Sequence, residues 1–429
     1  MELDLGPEAE AFREEVRGWI STAAPTGLSQ MVDWTSTPLT GGDRSAFEKA
    51  ERSDEYAQWT QRVLDDGWIC PTWPERFGGR GLGPVENAIY SEELVRANLP
   101  RIRRGFGEGM VGPSIMVHGT EEQQRHFLPR IISGEDVYCQ GFSEPGHGSD
   151  LAGVTTRGVV DGDEIVITGQ KIWTSGFYRA NMIFIICRTD PDAPKHKGLS
   201  YVLTPFTDNN IDARPVKQLT GSAEFGEEFI DGARAPLFNV IGGLNNGWRV
   251  AMTTLGHERG GSATTGYLKY QRQFTELVEL AREVGRDEDP AVRDRLAWCH
   301  SHVEIMRFSG IRLMSQLAQG REPGPEASIN KLFWSEYEQA VGELAADLLG
   351  AAALVRPDGE GYRTSKWQNI FLASRAGTIF SGTSEIQRNI IAERALGLPR
   401  EPQAPAPARA AAATATPAAP AAAAVGGAR

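Results

Sequence analysis

The sequence predicts an α+β multidomain protein: a helical N-terminal domain, a central β-barrel or sandwich domain, and a C-terminal domain resembling a four-helix bundle. Two observations carry this. Apolar residues recur at the helical period up to about Asp136, alternate at period two from Val137 to about Ile241, and return to the helical period from Trp248 to about Ala395. The blocks also follow one another instead of alternating, and no G-x-G-x-x-G follows a strand pattern, which argues against a doubly wound nicotinamide-binding fold. The expected domains are 1–136, 137–243 and 244–400. A disordered tail is expected at 401–429, where 15 residues are Ala and 5 are Pro and nothing aromatic is available to bury.

Each block has its own local logic. Phe12, Val16, Trp19 and Ile20 form one face of an amphipathic helix, with Glu10, Arg13, Glu14 and Arg17 around it. Thr120 and Gln123 form a capping box, and Glu121 and Glu122 favour the N-terminal end of the helix dipole. Trp73 to Gly79 is a turn-rich break between helices. Val159 to Ile167 reads as a β-hairpin turning at Asp161-Gly162 in a type I′ turn. Met182–Cys187, Leu199–Leu203 and Phe229–Ile230 are further strand runs, while 326–349 and 365–394 read as long helices.

Composition excludes several function classes. Against 44 Lys and Arg stand 56 Asp and Glu, a net charge of −12, so nucleic acid is not an expected partner. Cys70, Cys139, Cys187 and Cys299 are far apart and lack the spacing of a metal site or disulfide framework, so reduced thiols and no metal are expected. The longest apolar run, Met182–Cys187, is far short of the roughly 20 residues of a membrane span. The acidic start lacks a signal-peptide layout, and a cytoplasmic protein is expected.

Three segments carry chemistry. Gln140 to Asp150 contains Gly141, Gly146 and Gly148 beside Phe142, Ser143 and Ser149, a loop able to approach a ligand or simply a tight turn entering the β domain. Gly169 to Gly176 holds Trp173 beside Thr174 and Ser175, so the indole either lies against a planar cofactor or fills the core. Phe380 to Arg388 places Gly382-Thr383 ahead of a helix, a capped N-terminus able to meet an anion or an ordinary cap.

In this order and spacing, together with Trp73-Pro74, the Gly119 to Gln123 helix start and Gly247-Trp248, the three segments resemble the acyl-CoA dehydrogenase family over nearly all of 1–400. The resemblance implies an FAD enzyme that acts on an acyl-CoA thioester. It assigns Gln140, Phe142, Ser143, Trp173 and Ser175 to the flavin, with Thr383 and Glu385 near its adenosine diphosphate portion. Ser149 and Arg259 match positions that face CoA. It also implies an electron-transfer flavoprotein as acceptor, and a homodimer or homotetramer, or else a heteromer.

The sequence departs from the common family pattern in three places. The glutamate that usually precedes Gly-Thr is Ser381 here, whereas Leu255-Gly256-His257-Glu258-Arg259 matches the Leu-x-x-Glu-Arg context in which a minority of members carry the base. The resemblance therefore implies Glu258 as the catalytic base, with the Ser381 backbone N–H polarising the thioester carbonyl. His257 and His147 are expected to be structural or substrate-lining. The inter-subunit flavin motifs are also altered, reading Ala281-Arg282-Glu283 without an aromatic and Asp347 to Ala352 without the Gly-Gly pair; Arg282 and Gly350 are the remaining candidates there. Two other activities keep the fold: an oxygen-using acyl-CoA oxidase or flavin N-oxygenase, and a non-catalytic flavin- or CoA-binding subunit of a heteromer.

Overall fold

The computed structural model describes residues 6–34, 44–260, 266–319, 321, 324, 326–355 and 364–400. The Ala/Pro-rich stretch at 401–429 lies outside the described residues.

Among the described residues, seven α-helices come first: α1 (Pro7–Ala23), α2 (Leu28–Met31), α3 (Arg44–Glu51), α4 (Asp54–Asp65), α5 (Pro84–Arg96), α6 (Gly112–His118) and α7 (Glu121–Ser133). On α1, Val16 and Ile20 are buried while Phe12 and Trp19 pack half-buried against the same core. The polar surround expected of that helix is incomplete. Arg13 is buried, because its guanidinium pairs with Glu93 at 2.7 Å and Glu92 at 3.0 Å across α5. The capping box forms as read: Thr120 Oγ1 accepts from the Gln123 N–H at 3.2 Å, and Gln123 Oε1 accepts from the Thr120 N–H at 2.9 Å. The Gln123 amide then donates to the carbonyl oxygens of Phe238 and Val240, which ties α7 to the sheet.

The strands are β1 (Tyr138–Gly141), β2 (Arg157–Asp161), β3 (Glu164–Ser175), β4 (Met182–Arg188), β5 (Leu199–Pro205), β6 (Ile211–Val216), β7 (Phe225–Pro236) and β8 (Val240–Ile241). They run in the order β6-β7-β3-β2-β4-β5-β8, with β1 added parallel to β4. The link between β2 and β4 is the single pair Arg157–Arg188, so the sheet folds into two leaves there. Ile165, Ile167, Ile230 and Ala233 of one leaf share a core with Ile183, Ile185 and Val202 of the other. The unbroken apolar run of β4 has a simple cause: Phe184 and Ile186 face the N-terminal helices while Ile183, Ile185 and Cys187 face between the leaves. The β2–β3 turn is displaced by one residue from the expected position. Asp161 pairs with Glu164, so Gly162 and Asp163 are its two central residues. Only Gly162 has a positive φ, 65°, which excludes the type I′ turn, since that turn needs two.

Among the described residues, six α-helices follow: α8 (Gly247–Gly260), α9 (Tyr267–Glu283), α10 (Pro290–Ala318), α11 (Glu326–Leu349), α12 (Lys366–Gly377) and α13 (Ser384–Ile390). Helices α9 to α12 close around Tyr270, Leu277, Cys299, Tyr337, Val341 and Ile370. The apolar pattern of 365–394 is not one helix; Ser381 and Gly382 have φ of 51° and 87° and break it between α12 and α13. Helix α8 belongs elsewhere. Val250 and Ala251 are buried in the core shared by the N-terminal helices and the β4–β5 leaf.

Candidate active site

The first segment leaves β1 and is held down by a buried ion pair. Lys171 on β3 is completely buried. Its Nζ donates to Glu144 Oε1 at 3.0 Å and to the carbonyl oxygens of Phe142 and Ile186 at 3.1 and 2.8 Å. The Glu144 carboxylate also accepts from the Thr155 N–H and hydroxyl and from the Thr156 N–H, all at 2.8 Å. Burial alone would raise the Glu144 pKa, but Lys171 and these donors hold it at about 2. Glu144 and His147 exchange two backbone hydrogen bonds of 3.0 Å, closing the loop tip. The tight-turn reading of this segment therefore describes its backbone. Phe142 is buried edge-on against Phe184 and Tyr201, and Ser143 and Gln140 are half-buried. Ser149 is exposed beside Asp150, whose carboxylate meets Lys195 at 2.6 Å.

The second segment is joined to the first by the Ile172 N–H donating to the Ser143 carbonyl at 3.0 Å. Along β3 the inward positions are Ile165, Ile167 and Lys171. A register shift between Ile172 and Thr174 then moves the inward position to Thr174. Trp173 sits on that bulge with φ 66°, and its indole is 55% exposed. Exposure excludes the core-tryptophan reading. The ring rests edge-on against Phe225, and half-buried Ser175 follows on the same strand end.

The third segment is anchored to α11. Arg388 pairs with Glu336, and Lys331 Nζ donates to the Gly377 carbonyl at 2.8 Å. Thr383 Oγ1 accepts from the Ile386 N–H at 3.2 Å, the N-cap bond expected of it. Glu385 is exposed, and backbone donation followed by the Thr383 hydroxyl lowers its pKa. Ser381 is exposed, and its carbonyl accepts from the Gln387 amide at 3.0 Å.

Glu258 and Arg259 lie near the C-terminal end of α8, and their side chains fall outside the described residues. The helix itself is stitched in place. Thr254, one turn before Glu258, is buried and shares a 2.7 Å hydrogen bond with Ser114, and Thr253 meets His118 Nε2 at 2.8 Å. His257 is exposed, and His147 buries its Nδ1. Sequence reading missed Lys171 and Glu228, although both share inward parity with neighbouring isoleucines.

Comparison with known proteins gives the class. Family models for the N-terminal, middle and C-terminal domains of acyl-CoA dehydrogenases match residues 43–135, 139–229 and 245–396. The chain belongs to the acyl-CoA dehydrogenase family, and is an enzyme of that class with FAD as its cofactor. It is similar to acyl-CoA dehydrogenase IpdE1 of Mycobacterium tuberculosis, 42% identical over 92% of this chain and 99% of that one. Among solved structures it is similar to the Tcur3481-Tcur3483 steroid ACAD, 32% identical with a TM-score of 0.74 over 94% of this chain and 100% of that one. It is also similar to the ChsE4-ChsE5 complex of Mycobacterium tuberculosis, 29% identical with a TM-score of 0.73 over 94% and 100%.

The residues present fit a flavin. A planar ring needs an apolar surface with hydrogen-bonding groups at its rim. Trp173 offers a half-exposed indole on a backbone conformation that costs energy to hold, with Ser143 and Ser175 close by in the linked segments. Among the described residues no group of His, Cys, Asp and Glu has a metal-binding arrangement, and no helix is long and apolar enough to cross a membrane. All four cysteines are buried and free of disulfides.

Proposed function

We propose that the chain dehydrogenates a bulky, ring-bearing acyl-CoA thioester between its α and β carbons, with Glu258 as the base. The observation that carries this reading is the displacement of the carboxylate: Ser381 stands before Gly382-Thr383, while the Leu255 to Arg259 run falls on α8, fastened one turn earlier by Thr254 and Ser114. A hydroxyl cannot take an α-proton unaided, whereas a carboxylate in a water-excluding site can.

FAD, when bound, supplies the hydride acceptor. The chain's own residues then divide the remaining work. Gln140, Phe142, Ser143, Trp173 and Ser175 form the ring-binding face, and Thr383 and Glu385 adjoin the adenosine diphosphate portion. Ser149 and Arg259 bind CoA. The Ser381 N–H polarises the thioester carbonyl, stabilising negative charge as the α-proton leaves for Glu258.

The acyl class is drawn from the steroid ACAD named among the similar structures, and from a base placed on a helix. Both similar structures carry paired names, and that of ChsE4-ChsE5 is a complex. Together with the altered runs at Ala281–Glu283 and Asp347–Ala352, this supports a heteromer in which a related subunit completes the flavin site. An electron-transfer flavoprotein in the cytoplasm is the proposed electron acceptor. A panel of acyl-CoA thioesters tests the substrate reading by anaerobic flavin bleaching. Ring-bearing thioesters are expected to bleach fastest; preference for short linear chains contradicts it. Rapid reoxidation in air would instead favour the oxidase activity, and a chain that never bleaches, alone or with a partner, the non-catalytic one.

A further inference from the structure

Beneath the Trp173 bulge lies a carboxyl that the proposed reaction does not use. Glu228 on β7 is wholly buried and is the cross-strand partner of Lys171, so both side chains enter the same face of the sheet. Lys171 is committed to Glu144, Phe142 and Ile186, and Glu144 collects the Thr155 and Thr156 donors as well. Of the two buried carboxyls near this face, only Glu144 bonds the ammonium. Glu228 accepts from the Thr174 hydroxyl, and its Oε1 is buried without a partner among the described residues.

Among the described residues, Lys171 being committed to Glu144, no other neighbouring element offers a compensating charge. Cys139 on β1 is a buried thiol whose pKa is raised by burial and then by Glu228 itself. Burial likewise pushes Cys187 on β4 up to about 12. On β6 the register partner is Ala213, and adjacent Arg214 pairs with Asp212 at 2.6 Å. Strand β5 carries no charged residue. The turn at Phe177–Arg179 sets the Phe177 ring beside Gly226, and Arg179 pairs with Glu51 at 3.0 Å. Glu227 on β7 adds negative charge and takes the Gln170 amide. An ionised Glu228 would be an unneutralised buried charge, which is strongly disfavoured. Burial raises its pKa to about 7 against the opposing Thr174 hydrogen bond.

We propose that Glu228 is a positioning residue for the ring-binding face: with Thr174 it forms a proton-dependent clamp on the bulge that turns Trp173 outward. The proposal rests on Trp173 facing FAD. The Thr174 hydroxyl donates to the carboxyl and by itself would favour the charged form, so the pH dependence comes from burial: an ionised Glu228 without a cation is drawn toward water against that bond, which loosens the adjoining left-handed turn.

The test is the FAD dissociation constant measured from about pH 6 to about pH 8 for the wild-type chain, Glu228→Gln and Trp173→Ala. Wild-type affinity is expected to fall roughly three- to tenfold across that range, with Glu228→Gln keeping a flat profile. Parallel profiles for wild type and Glu228→Gln overturn the clamp. An unchanged affinity in Trp173→Ala overturns the ring-binding reading instead, which separates the two failures. An infrared titration of the wild-type apoprotein guards against a misfolded variant. A protonated-carboxyl band that disappears near pH 7 and shifts in Thr174→Val supports the clamp, and no such band contradicts it.

Discussion

Lys171 owes its role to strand parity, not to its charge. Counting by twos from Ile165 and Ile167 carries the inward face to it, and the ammonium must then find Glu144. Lys171→Met removes the partner of a buried carboxylate and is expected to cost about 3–5 kcal/mol, read by urea unfolding. A loss below about 1 kcal/mol would show that the backbone donors around Glu144 suffice. The pH dependence has a defined sign. Glu144 titrates lower in the folded chain than in the unfolded one, so its contribution is complete above the ordinary carboxylate range. That contribution is lost as pH falls toward about 2. Trp173→Ala should leave thermal stability nearly unchanged, because the ring is exposed, while weakening FAD about tenfold by equilibrium titration. Lys171 and Glu228 were missed although their parity with neighbouring isoleucines marks both as inward-facing. The bulge at Trp173 was not legible in the sequence, because a register shift is a backbone event that leaves the residue types unchanged.

At the level of elements, α8 depends on its first residue. A Cβ at Gly247 would lie 2.4 Å from the Ser200 carbonyl carbon and 2.6 Å from the Tyr201 nitrogen, both backbone atoms of β5. Gly247→Ala therefore forces the helix off the strand. A loss of about 1–3 kcal/mol is expected in thermal unfolding, accompanied by loss of turnover as α8 shifts. Full activity with unchanged stability would show that β5 yields instead. Helix and strand periods exposed these elements, including α11 and the three-block order. The displaced hairpin turn was missed because a single positive φ, not a pattern, decides it; the helix start at Thr383 was legible from its cap, although the apolar pattern of 365–394 runs through the break at Ser381-Gly382.

For the whole molecule, the core shared by the N-terminal helices, the β4–β5 leaf and α8 is the frame on which the proposed base and ring-binding face are held together. Charge balance led to the expectation of no nucleic-acid partner but was silent on the anionic ligands, because loop backbone and hydroxyl groups do not register in net charge. The altered inter-subunit runs lead to an assembly prediction. Co-expression with a related acyl-CoA dehydrogenase subunit should raise the flavin content per chain, measured by absorbance after purification; an equally yellow homomer contradicts the heteromer.

The central claim is that Glu258 removes the α-proton, and anaerobic bleaching of bound FAD by a ring-bearing acyl-CoA thioester tests it most directly. Wild type should bleach, while Glu258→Gln should retain FAD and bleach roughly 10²–10⁴-fold more slowly. Bleaching of Glu258→Gln at the wild-type rate would contradict the account.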